Sequence, residues 1–151
     1  MPQIDDIDKK IINRIQALFP IEPRPFRAIA RDLDLDEADV IARVRQLKDD
    51  GIIRRIGGNF SPDKLGFHST LCAACVPDHK IDLFTETVNS YSGVTHNYMR
   101  SHTYNIWFTF IAQSVALIES HLEEISKTTG VTEILNLPAT DVFKINAQFK
   151  V

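Results

Sequence analysis

The spacing of apolar residues changes near residue 60, and that change divides the 151-residue chain into two differently built parts. Before it, Ile4, Ile7, Ile11, Ile15 and Leu18 recur at intervals of 3, 4, 4 and 3, the period of a helix face. After it, runs such as Ile106-Trp107-Phe108-Thr109-Phe110 alternate as half-buried strands do. Charge shifts with the pattern. Residues 1–66 hold 12 Lys+Arg and 12 Asp+Glu, whereas residues 67–151 hold 5 and 8, with Arg100 the sole arginine. The turn Ser61-Pro62-Asp63-Lys64-Leu65-Gly66 falls between them. Two domains are therefore expected, residues 1–60 and 61–151.

In the first, Asp5 or Asp6 caps a helix that Pro20, Pro23 and Pro25 end. Phe26, Ile29, Ala30 and Leu33 outline a second, shorter helix. Asp36 can cap a third, with Val40, Ile41, Val44 and Leu47 as its core face and Gly51 as its stop. Ile52–Ile56 then reads as a strand turning at Gly57-Gly58-Asn59. Three helices and a small hairpin make a winged helix-turn-helix. Such a fold reads DNA through the N-terminal end of its third helix. Here that end carries Asp36, Glu37 and Asp39 and is preceded by Asp32 and Asp34, five carboxylates that would face a backbone with one negative charge per ~1.7 Å. The pattern argues against a DNA reader.

In the second, strand patterns at Phe67–Val76, Val94–Arg100, Tyr104–Ala112 and a closing set at Val131–Leu137 and Thr140–Phe149 alternate with helices. The helices carry Ile81, Leu83, Phe84 and Val88, then Val115, Leu117, Ile118, Leu122 and Ile125. The order βαββαβ is ferredoxin-like, so the fold class is α+β. Helices cover one face of such a sheet and leave the other for a ligand or partner.

Several classes fall away. No apolar run approaches ~18 residues, so no membrane helix is expected. An acidic start without an apolar segment points to the cytoplasm. Cys72-Ala73-Ala74-Cys75 has redox spacing, but residues three apart on a strand point to opposite faces. Two small buried hydrophobes are the simpler reading. His68, His79 and His121 occupy unremarkable positions. No phosphate loop, nucleophile elbow or paired catalytic carboxylates appear, and the residues define no metal-ligand set.

One strand pair is different. Burying Ile106, Phe108 and Phe110 turns Asn105, Trp107 and Thr109 outward. A two-residue turn at 102–103 then sets Arg100 opposite Asn105, Tyr98 opposite Trp107 and His96 opposite Thr109. This face combines stacking rings, a titratable imidazole and a guanidinium. His96 and His102 suit a general acid or an iron ligand, a choice the residues leave open. Arg54 and Arg55 suit carboxylate clamps if the ligand is a polycarboxylate.

The whole chain resembles the Lrp/AsnC regulators in architecture. Arg54-Arg55-Ile56-Gly57-Gly58-Asn59-Phe60 and the run from His96 through Arg100, His102, Tyr104, Asn105 and Trp107 to Thr109 more specifically resemble the siroheme decarboxylases, an Lrp-like enzyme family. The second run is most similar to the family's alpha-type members. The resemblance implies loss of CO₂ from the C12 and C18 acetates of siroheme, giving 12,18-didecarboxysiroheme, together with a homologous beta subunit as heterodimer partner. It implies no organic cofactor, since iron travels with substrate and product. Its catalytic candidates are His96, Arg100 and His102, and its substrate-binding candidates Arg54, Arg55, Tyr98, Tyr104, Asn105 and Trp107. The competing expectation is an Lrp-like transcription regulator sensing a small ligand or haem.

Overall fold

The structure, a computed structural model, describes residues 4–58, 60–144 and 148–151. They group into two compact units, residues up to Gly58 with those from Lys144 onward, and residues up to Phe143 between them.

Among its described residues the first unit has three helices. Asp5 caps α1 (Asp6–Ala17) by accepting from the Asp8 amide, and the Asp8 side chain answers at the Asp5 amide. Pro25 opens α2 (Pro25–Leu33), where a missing N–H is harmless. Asp36 caps α3 (Glu37–Asp49), and Gly51 follows it at φ 73°, a left-handed turn that glycine adopts without strain. Ile11, Ile29, Ala30, Val40 and Val44 form the core, with Ile7, Phe26, Ile53 and Ile56 packed against it. Leu18, expected on the α1 face, lies beyond the helix end and is exposed.

The expected wing strand at Ile52–Ile56 does not form. The amides of Ile52 and Ile53 both donate to the Leu47 carbonyl at 2.9 Å, closing the end of α3. Backbone groups engaged in that cap cannot also pair as a strand, and Ile53 and Ile56 pack on the helices instead. The turn residue Asn59 lies outside the described residues.

The second unit runs β1 (His68–Ala74), α4 (Ile81–Asn89), β2 (Val94–Met99), β3 (Ile106–Ala112), α5 (Val115–Thr129) and β4 (Ile134–Leu137). Its sheet has the order β2-β3-β1-β4, antiparallel throughout. That is the expected βαββαβ arrangement. Phe84, Val88, Ile118, Leu122 and Ile125 pack onto Cys72, Ile106, Phe108 and Phe110, forming one core between helices and sheet. Ser114 caps α5 through the Leu117 amide, and Gly130 stops it at φ 65°. At the start of β2 the Ile111 amide donates to the Gly93 carbonyl at 2.9 Å, and a side chain at Gly93 would strike the Ile111 carbonyl.

The closing strand expected over Thr140–Phe149 is absent from its described residues, 140–144, 148 and 149; residues 145–147 lie outside the description. Beyond Pro138 the chain leaves the sheet, and its last residues pair with α1. Gln16 Nε2 donates to the Phe149 carbonyl and the Phe149 amide to Gln16 Oε1, both at 2.8 Å. Asn13 does the same with Val151, at 2.7 and 3.2 Å. Two carboxamides one helical turn apart thus meet alternate residues of the tail and replace a sheet partner.

Candidate functional site on the open sheet face

The register of β2 and β3 follows the sequence reading. His96 lies opposite Thr109, Tyr98 opposite Trp107, and the Arg100 amide donates to the Asn105 carbonyl at 2.7 Å. Ile106, Phe108 and Phe110 are each about 1% exposed beneath the helices. Alternation turns Trp107 and Thr109 to the other face, and the ladder adds Leu71, Leu135 and Leu137 beside them. Tyr98 and these three leucines stay exposed there, from 38% to 46%. The ladder ends at Met99 and Ile106, so the connecting loop is wider than a two-residue turn. It is tightened by the His102 amide donating to the Arg100 carbonyl at 3.0 Å.

Two ring pairs and one cation order the site. His96 stacks on Tyr98 with centroids 6.0 Å apart, and His102 on Tyr104 at 6.4 Å. The Arg100 guanidinium lies over the Trp107 ring, 5.8 Å from its centroid. Trp107 is itself pinned, its Nε1 donating to the Tyr104 carbonyl at 2.7 Å.

The two histidines have different neighbours. His96 Nδ1 lies 3.0 Å from the Thr95 hydroxyl, which can donate or accept, so this contact fits either tautomer of the ring. His102 Nδ1 accepts the Tyr104 amide at 3.1 Å, so in its neutral form the ring proton sits on Nε2. Thr95 was not legible as a partner. Strict alternation would turn it away from His96, but the ladder shifts by one residue between Val94 and His96.

Asn105 has partners within the protein that the sequence did not display. Its side chain donates to the Val76 carbonyl at 2.8 Å and accepts from the Val76 amide at 2.9 Å, tying β3 to the end of β1. Both ends of the carboxamide expected to bind substrate are thus engaged within the protein. Arg54 and Arg55 belong to the first unit, exposed and without an ion pair among the described residues. Cys72 is buried in the core and burial pushes its thiol up to about 12, while Cys75 is half-buried. No group of three potential metal-ligating side chains occurs among the described residues.

Between the last turn of α2 and the first turn of α3, four of the carboxylates noted in the sequence have intramolecular roles. Asp36 caps the helix, Glu37 pairs with Arg24, and Asp32 accepts from Arg14 at 2.7 Å. Arg43 reaches Asp5, Asp8 and Asp39 at 2.7, 2.9 and 3.3 Å, which holds its guanidinium firmly protonated.

Comparison with known proteins decides the family. Residues 8–54 match the siroheme decarboxylase NirDL-like HTH domain, and residues 64–144 the AsnC-like ligand binding domain. The siroheme decarboxylase alpha subunit of Oleidesulfovibrio alaskensis is 53% identical over 98% of this chain and 90% of its own length. This chain belongs to the siroheme decarboxylase family. The crystal structure of the siroheme decarboxylase NirDL in complex with an iron-uroporphyrin III analogue superposes with a TM-score of 0.67 at 28% identity, covering 93% of this chain and 46% of that one. The leucine response regulatory protein LrpA of Mycobacterium tuberculosis has a TM-score of 0.81 at 19% identity, covering 98% and 100% of the two chains. That likeness shows a shared fold alone.

Proposed function

We propose that this chain is the alpha-type subunit of a siroheme decarboxylase, removing CO₂ from the C12 and C18 acetates of siroheme to give 12,18-didecarboxysiroheme. The observation that carries the reading is the 53% identity over nearly the whole chain to a protein of that name. The open face supports it chemically. Siroheme is a flat iron macrocycle ringed with carboxylates, matched by Tyr98, Tyr104 and Trp107 for stacking and by Arg100 for an acid group. On the first unit, taken by itself, Arg54 and Arg55 are exposed guanidiniums of the kind that pairs with carboxylates.

Each decarboxylation exchanges a carboxylate for a proton. The C–C bond to the carboxylate breaks and CO₂ leaves, and its electron pair spreads from the exocyclic carbon into the conjugated ring. One proton on that carbon completes a methyl group, so one acetate and one proton become one methyl and one CO₂. His96 supplies the proton in this reading, with the Thr95 hydroxyl orienting its ring. The Nε2–H of His102 donates to a substrate carboxylate, and Arg100 fixes a neighbouring one. No organic cofactor takes part, because the macrocycle is its own electron sink and its iron arrives as substrate.

The partner is a homologous beta subunit, for which the exposed Leu71, Leu135 and Leu137 offer an apolar surface to cover. The cytoplasm is the compartment proposed. A regulator is the weaker reading, because the start of α3 presents carboxylates where phosphates would lie. Anaerobic incubation with siroheme and the partner subunit, followed by mass spectrometry, tests the function. Stepwise loss of two CO₂ is expected. An unchanged mass with every partner tried overturns the enzyme reading.

A further inference from the structure

We propose that Asn105 is a positioning residue: its clamp on Val76 sets the loop that holds His102 as the Nε2–H tautomer, a hydrogen-bond donor and not an iron ligand through Nε2. The donor's target, a substrate carboxylate, rests on the reading above. The tautomer does not.

Three consecutive contacts carry it. The Asn105 carboxamide meets both backbone groups of Val76, a residue 3% exposed, at 2.8 and 2.9 Å. A two-point bond of this kind fixes position and orientation together, and its loss would strand a buried amide and a carbonyl. Next in the chain, the Tyr104 carbonyl is held by Trp107 Nε1 at 2.7 Å, so the peptide before Asn105 cannot rotate freely. The amide of the same Tyr104 then donates to His102 Nδ1 at 3.1 Å. A ring nitrogen that accepts an N–H carries its lone pair there, which leaves the proton of the neutral imidazole on Nε2. That nitrogen has no lone pair for a metal, and metal-bound histidines have the opposite arrangement when Nδ1 donates to a neighbour. His96 has no such constraint, since its partner is a hydroxyl that serves as donor or acceptor.

The test is nitrogen-15 NMR of the imidazole rings on the full chain, without siroheme, at alkaline pH where histidines are neutral. In the native protein His102 is expected to show a protonated Nε2 and a bare Nδ1. Asn105→Leu, which keeps the bulk and removes the amide, is expected to give a mixture of tautomers. Should that variant fail to fold by circular dichroism, Asn105→Asp and Trp107→Phe each remove one anchoring donor, and each must shift the pattern in the same direction. A native His102 protonated on Nδ1, or a tautomer unmoved in every folded variant, overturns the proposal. With siroheme and the partner present, Asn105→Asp is expected to lower kcat by ~10²-fold while KM changes far less, the signature of a misplaced group. A native protein with the expected tautomer but no decarboxylation would overturn the function and leave the positioning role standing.

Discussion

Arg100 and Trp107 are neighbours across the β2–β3 hairpin, the guanidinium 5.8 Å from the indole centroid. The contact holds the second part's lone arginine over a ring that Tyr104 already pins, so the charge is presented from a rigid support. Arg100→Ala is therefore expected to weaken siroheme binding and turnover together. Leaving a bound carboxylate without its charged partner costs ~2–5 kcal/mol, and titration of siroheme against the complex reads the loss directly. Arg100→Lys keeps the charge without the planar fork and is expected to fall between the two. Native affinity in Arg100→Ala would remove the residue from the site.

His96→Ala separates chemistry from binding. A positioned general acid contributes ~10²–10⁴-fold, so kcat is expected to drop within that range while siroheme affinity stays close to native. Single-turnover measurement under anaerobic conditions checks it. A stronger loss in His102→Ala than in His96→Ala would reassign the proton donor.

The first unit is expected not to select a DNA sequence. Specific protein–DNA complexes bind at ~10⁻⁸ M or tighter at physiological salt, against ~10⁻⁴ to 10⁻⁶ M for unspecific contact. Selection from random duplexes should return no preferred site. A sequence-defined site of nanomolar affinity would contradict the reading of α3.

Acid should loosen the first unit before the second. The Asp8 amide and then Arg43 hold the Asp5 carboxyl below its ordinary value, and Arg14 does the same for Asp32. A lowered carboxyl adds stability above the unfolded-state value of ~3.9, and that contribution is lost as pH falls towards the folded-state value. Thermal unfolding followed between about pH 5 and pH 3 should therefore show a falling Tm. In Asp5→Asn the slope should be shallower. An equal slope in the variant would exclude the Asp5 contact as its source.

Much of this protein was determined by residue order alone. The five helices, their caps at Asp36 and Ser114, and the hairpin pairing of His96 with Thr109 and Tyr98 with Trp107 follow from local period and capping chemistry. Such features depend on neighbours a few residues away, which a sequence displays. What the tertiary structure decided concerns groups distant in the chain competing for the same polar partners. Ile52 and Ile53 looked like a strand until the end of α3 claimed their amides. The tail left the sheet because Asn13 and Gln16, more than a hundred residues earlier, bond its backbone. Asn105 has its carboxamide engaged at both ends by Val76, which lies 29 residues away and which no local pattern announces. Backbone donors and acceptors must each find a partner on folding, and when candidates lie far apart only the assembled chain settles which one wins.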